Sequence, residues 1–307
     1  MTQFNDLLNV TFDTVAPIFI IIGLAMFVGR YKSLNVQTLS RVSIYLFSPA
    51  LILSNLVGTD MKMVELSNIL FATILLCTVM VIVGSIVARL MRFERKMASS
   101  FILAVFIMNS GNFGLPFIEF AFGSIGLEPA VVFTVGQALT AYLFGTYVAS
   151  RGGGSVKTAV FNVLTIPMPY AFGLALWLNA SATSLPTPIM KAADVLGDGI
   201  IPAALVILGL QLGSAKLNGR WLPIITATFT RFFIGAAVAY GVTLLFGLQG
   251  LTRQVFIMQA SMPAGILSGV LSTEFGGDPE YATAVILVTT LFSALFLSGL
   301  LLLVGNL

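Results

Sequence analysis

Ten apolar stretches of membrane-crossing length fill most of this chain and leave it few ways to fold. They run from Leu7 to Gly29, Leu34 to Leu56, Leu66 to Leu90, Met97 to Phe122, Ala130 to Ser150, Val156 to Ala180, Pro188 to Leu212, Leu222 to Phe246, Gln254 to Phe275 and Glu280 to Val304. A bilayer core about 30 Å thick takes about 20 helical residues, and every stretch is of that order. Backbone amides in hydrocarbon find no water to bond, so each stretch has to satisfy them internally as a helix. The composition agrees: 58% of the 307 residues are hydrophobic and 9% are charged. With 15 basic and 12 acidic side chains the chain cannot cover a water-soluble surface of this size. The expected class is an all-α polytopic protein of the lipid bilayer.

The basic residues sort by connection. Arg30, Lys32, Arg89, Arg92, Arg95, Lys96, Arg151, Lys157, Lys216 and Arg220 fall in alternate loops, against Lys62, Lys191 and Arg253 on the other side. Ten against three predicts that the basic loops face the cytoplasm and that both termini lie outside the cytoplasmic (inner) membrane. The net charge of +3 is then topological. No basic stretch interleaved with aromatics accompanies it, so no nucleic-acid partner is expected. Met1 to Asn9 has no basic residue and contains Asp6, so the first apolar segment is expected to stay as a helix rather than be removed as a signal peptide.

Absences narrow the chemistry. The chain has no histidine and one cysteine, Cys77, which sits among Leu75, Leu76 and Val79 and reads as a small buried hydrophobe. Zinc sites, haem ligation, disulfides and Ser-His catalysis lose their residues, so neither a metal nor a cofactor is expected. Leu196-Gly197-Asp198 has Val195 where an intramembrane aspartic protease needs the first glycine of Gly-x-Gly-Asp. With no nucleotide-binding Gly-x4-Gly-Lys-Ser/Thr sequence either, the chain reads as a non-enzyme and not as a primary pump.

Parity gives the architecture. The Gly-rich connector Arg151-Gly152-Gly153-Gly154-Ser155 divides the spans five and five. Halves with an odd number of spans insert in opposite senses, which predicts an inverted repeat with residues 1–150 and 158–307 as its halves and 151–157 as a short cytoplasmic linker. Such transporters place their sites where interrupted helices of the two halves meet. The fourth span carries Asn109-Ser110-Gly111-Asn112-Phe113-Gly114-Leu115-Pro116, and the ninth, its counterpart, carries Ala260-Ser261-Met262-Pro263-Ala264-Gly265. The second span of each half matches as well, Ser48-Pro49-Ala50 against Ile201-Pro202-Ala203. Gly and Pro in membrane helices often only make kinks, but paired breaks at the same ordinal position predict helices interrupted at Gly114, Pro116, Pro263 and Gly265. Broken helices expose N-terminal ends that favour an anion. The expected substrate contacts are Asn109, Gly111, Asn112, Gln137, Met262, Pro263 and Ala264.

Charges at depth are expensive and point to function. Arg231, inside the eighth span, has three candidate partners: Asp198, an anionic substrate, or backbone carbonyls. Asp194 and Asp198, four apart on one helix face, offer a place for proton or sodium coupling, while Lys191 offers Asp194 an ordinary salt bridge. Glu119 lies ~15 Å along the helix from Asn109 and suits a vestibule. Asp13 and Arg41 read as interfacial. Gln137, beside Gly136, fits either substrate contact or helix-helix hydrogen bonding.

Asn109 to Pro116 followed by Phe122-Gly123, with Gln259-Ala260-Ser261-Met262-Pro263-Ala264-Gly265, resembles the auxin efflux carrier family. Ser48-Pro49-Ala50-Leu51, Gly136-Gln137 and Arg231-Phe232-Phe233-Ile234-Gly235 extend the resemblance over nearly the whole chain. It implies ten helices with two crossed, unwound spans, similar to bile-acid symporters and sodium/proton antiporters. It further implies a scaffold from spans 1, 2, 6 and 7 and a transport domain from spans 3–5 and 8–10, and it allows a homodimer through the scaffold. Plant relatives carry Pro-Asn at the first break, whereas here Met108 precedes Asn109. Their long central loop is missing too. The expected function is secondary transport of a small organic anion, a carboxylate such as malate, malonate or an aromatic acid. The alternative is a cation/proton antiporter or ion-coupled symporter using Asp194 and Asp198.

Overall fold

The computed structural model describes residues 11–149, 165–213, 215, 217, 219–274 and 276–305. The linker 151–157 and the segment Met1 to Asn9 lie outside the described residues. Twelve helical segments follow in order: α1 (Phe12–Tyr31), α2 (Val36–Leu56), α3 (Met63–Leu90), α4 (Arg95–Phe106), α5 (Leu115–Phe122), α6 (Ser124–Ala149), α7 (Met168–Ala180), α8 (Thr187–Leu212), α9 (Trp221–Leu245), α10 (Gly250–Ala260), α11 (Ile266–Glu274) and α12 (Pro279–Val304). Seven of them, α1, α2, α3, α6, α8, α9 and α12, are long and apolar enough to cross a membrane. The protein is a multi-pass membrane protein. Of the ten expected spans, the fourth and ninth are each divided into two shorter helices, and the sixth is described only from Thr165 onward.

Helix ends follow local chemistry. The Asn35 side chain accepts from the Thr38 amide at 2.9 Å and starts α2. Asp278 does the same for α12, accepting from Tyr281 N–H at 3.0 Å, with Pro279 in the first turn. Within the apolar helices, hydroxyls bond back to their own backbone, as Thr73 does to the Ile69 carbonyl at 2.8 Å. Apolar side chains such as Ile82, Ile86, Leu291, Leu295 and Leu303 face outward, as a lipid-facing surface requires.

Two packing groups stand out. In the first, α1 packs on α8, and α2 on both α7 and α8. Gly209 permits the α1–α8 approach: a Cβ there would lie 2.5 Å from the Ile22 carbonyl oxygen. In the second group, α3 lies against α4, α6 and α9, α10 against α6 and α9, and α12 against α4 and α11. The groups meet where α8 packs against Ser110–Gly114, the turn that precedes α5.

Candidate functional site

Two interruptions build the site. Helix α4 ends at Phe106, and α5 begins only after one wide turn of π-helix, Ser110–Gly114. Pro116 has no N–H to donate and is confined to the first turn of the helix it opens. Helix α10 stops at Ala260 because Pro263 cannot extend it, and α11 starts at Ile266. The backbone groups freed at one break are satisfied by the other. Asn109 N–H donates to the Pro263 carbonyl at 2.8 Å, Gly265 N–H donates to the Ile107 carbonyl at 2.7 Å, and Met108 and Ala264 form an antiparallel bridge between them. Gln137 Nε2 on α6 donates to the Met108 carbonyl at 2.8 Å, and Ala264 N–H donates to Thr289 Oγ1 on α12 at 3.1 Å. Gly265 allows this contact, since a Cβ there would lie 2.7 Å from the Met108 oxygen.

A cavity of about 350 Å³ opens against the crossing of the breaks. Its polar end consists of Asn109, Ser110, Gly111, Asn112, Thr134 and Gln137, and Gly265, Ile266 and Leu267 add the start of α11. Its body is apolar, formed by Ile44, Leu51, Ile52, Val131, Ile200 and Ile207. Among the described residues no charged side chain lines it. The N–H groups that open the turn before α5 and those that open α11 have no preceding helical turn to accept them, so both starts carry partial positive charge. Asn109 Nδ2 and Gln137 Oε1 are buried and have no hydrogen-bond partner among the described residues. Orphaned buried polar atoms are costly in an apolar setting, which marks this end of the cavity as a place where a ligand or ordered water completes the bonding.

The cavity has a direction. Ser40, Met168 and Gln211 belong to its lining and lie at the helix ends that adjoin the connections holding Lys32, Lys157 and Lys216. No lining residue comes from 57–62, 123 or 181–186 on the other side. There the helix ends are tied together. Asn179 on α7 accepts from Gly58 N–H at 2.8 Å and donates to the Leu56 carbonyl at 2.5 Å, while Thr59 Oγ1 donates to Glu128 of α6 at 2.5 Å.

Of the residues read as substrate contacts, Asn109, Gly111, Asn112 and Gln137 line the cavity. Met262, Pro263 and Ala264 do not; they are buried on the far side of the break, where their backbone pairs with the first interruption. Gly114 and Pro116 shape the start of α5 and are buried. Asp194 and Asp198 are exposed on α8 and outside the lining, so the structure does not bring them to the crossing. Arg231 is fully buried and forms no ion pair with Asp198 or any other carboxylate among the described residues. Its guanidinium donates instead to the carbonyls of Val105 and Ala260, at the C-terminal ends of α4 and α10. Sequence reading missed Ser40, Ser43 and Ser48, which line the cavity from α2 with Ile44, Leu51 and Ile52. Their spacing follows one helical face, so periodicity held the signal.

The family model for membrane transport protein matches residues 10–167 and 156–301. An uncharacterized transporter of Methanocaldococcus jannaschii is 25% identical over 299 residues, covering 93% of this chain and 96% of its own. Auxin efflux carrier component 1 of Arabidopsis thaliana is 32% identical over 108 residues, which is 33% of this chain and 17% of the plant protein. A Rhizobium meliloti protein whose name assigns it malonate transport only provisionally is 27% identical over 207 residues, 64% of each chain. With the two family matches together spanning nearly all of its length, the chain belongs to the membrane transport protein family, to which auxin efflux carriers are related.

Proposed function

We propose that this protein is a secondary transporter of a small organic monoanion with an apolar body, working by alternating access around the crossing of its broken helices. The observation that carries the reading is the cavity, which has two helix N-termini and two buried amide atoms without partners among the described residues, Asn109 Nδ2 and Gln137 Oε1, at one end and a mostly aliphatic body elsewhere. A carboxylate fits the polar end because partial positive charge and N–H donors converge there. The volume suits a compact molecule. A second carboxylate, as in malonate or malate, would have to be desolvated among Ile44, Leu51, Val131 and Ile200, with no cation among the described lining residues to meet it. The favoured substrate is therefore an aromatic or branched monocarboxylate rather than a dicarboxylate.

In this reading the chain crosses the membrane ten times as a five-plus-five inverted repeat, with α4 and α5 forming the fourth span and α10 and α11 the ninth. Helices α1, α2, α7 and α8 are the scaffold, and the second packing group is the moving domain. Basic connections face the cytoplasm, so the cavity is open inward and closed outward by Asn179, Thr59 and Glu128. Exposed Asp194 and Asp198 take no part.

The test is binding and uptake with purified protein. Phenylacetate is expected to raise the thermal unfolding midpoint by mass action and to accumulate in proteoliposomes, with malonate weaker on both counts. Asn109→Ala removes an unpartnered amide without touching the backbone pairing and is expected to lower carboxylate affinity about tenfold, the scale of one hydrogen bond to a charged group. Failure of every carboxylate to stabilise or be transported would overturn the proposal.

A further inference from the structure

Four helix ends converge at the crossing, and their charges ought to cancel. The C-terminal ends of α4 and α10 carry partial negative charge, and the N-terminal ends leading into α5 and α11 carry partial positive charge. Arg231 breaks the balance. It occupies one wide turn of π-helix in α9, Thr230–Ile234, a local widening that turns its side chain into the protein interior. Its two terminal nitrogens donate to one carbonyl at each negative end, Val105 and Ala260. Gly235 leaves room for the group, because a Cβ there would lie 2.9 Å from Arg231 Nη2. Neither Val105 nor Ala260 lines the cavity, whereas the starts of α5 and α11 do.

We propose that Arg231 is a positioning residue that gives the cavity its preference for anions without touching the substrate. The guanidinium caps the two negative helix ends, and the positive ends facing the cavity are left uncompensated. A full positive charge buried in a medium of low dielectric adds to that field. The same fork ties α4 to α10, so one side chain both fixes the crossing and sets its sign. This inference rests on the reading of the substrate as an organic anion.

The experiment compares phenylacetate with phenylacetamide, which has the same shape and no charge, by equilibrium binding to purified wild type, Arg231→Gln and Arg231→Lys. Wild type is expected to prefer the acid. In Arg231→Gln, affinity for the acid is expected to fall on the order of tenfold while the amide changes little, the scale of cancelling a helix-end charge in a partly buried site. A purely structural role would weaken both ligands equally, and that outcome overturns the inference, as does an unchanged acid-to-amide ratio. Arg231→Lys keeps the charge without the fork; it is expected to keep the acid preference, and its loss in a folded protein overturns the inference even if Arg231→Gln does not fold. If wild type itself does not prefer the acid, it is the anion reading that fails, and the two failures are thereby distinct.

Discussion

A methyl group at Gly265 would meet the Met108 carbonyl oxygen at 2.7 Å and its carbon at 3.0 Å, both backbone atoms locked in the pairing of the two breaks. One at Gly114 would come even closer to a neighbour, 2.2 Å from Gln259 Oε1, yet that atom ends a flexible side chain with no hydrogen-bond partner to lose. The closer clash is therefore the cheaper one. Gly265→Ala is expected to cost about 1–3 kcal/mol, the usual range for overpacking, and to abolish uptake, while Gly114→Ala is expected to be mild. Thermal unfolding of the two variants side by side checks this, and equal losses would contradict it. At this scale the sequence exposed Asn109, Asn112 and Gln137, because an amide in an apolar span stands out. It hid the cavity role of Ser43 and Ser48, because serine is ordinary inside helices, where its hydroxyl can bond back to the backbone as Ser48 does to the Ser43 carbonyl at 2.8 Å. Arg231 was visible as a residue and backbone carbonyls were among its candidate partners, but which carbonyls it meets was not, since carbonyls carry no sequence signature.

Among elements, the connection between α11 and α12 shows how a surface ion pair can do structural work. Asp278 caps α12, receives two hydrogen bonds from Arg220 at the start of α9, and donates its own N–H to Ser100 of α4 at 2.8 Å. Burial pushes the Asp278 carboxyl up, but the hydrogen bonds from Arg220 and from Tyr281 N–H outweigh it and hold the group below its ordinary value. Arg220 is correspondingly raised, first by its hydrogen bond to Asp278. A carboxyl with a depressed folded pKa contributes stability above its unfolded value, about 3.9, and that contribution is lost as pH falls through the folded value. Asp278→Asn is thus expected to lower the unfolding midpoint at neutral pH, with the gap from wild type narrowing below about pH 4. Midpoints measured across pH check it, and a gap that stays constant would refute the linkage. The broken helices themselves were legible, because Gly and Pro at matching places in two halves leave few alternatives. That the breaks pair through Met108 and Ala264 was not, since that contact joins residues more than a hundred positions apart in the chain.

For the whole molecule, the helix ends tied together at Asn179, Thr59 and Glu128 lie opposite the cavity that reaches toward the basic connections, and under the proposed alternating access this is the inward-open state. Ala138 lines the cavity from the middle of α6, and the single natural cysteine, Cys77, is buried. In Ala138→Cys, an impermeant maleimide is expected to label from the cytoplasmic face and not from the opposite one, with protection by phenylacetate. Labelling solely from the opposite face would reverse the proposed orientation. The sequence alone determined that the chain crosses a membrane, which connections are basic and where helices must break, because hydrocarbon leaves the backbone one solution and Gly and Pro mark its interruptions. Only the tertiary structure decided which polar groups share a cavity, which of the broken ends face it, and that a buried arginine holds the others. Those outcomes depend on helices far apart in sequence meeting side by side, where charge and hydrogen bonding act through space rather than along the chain.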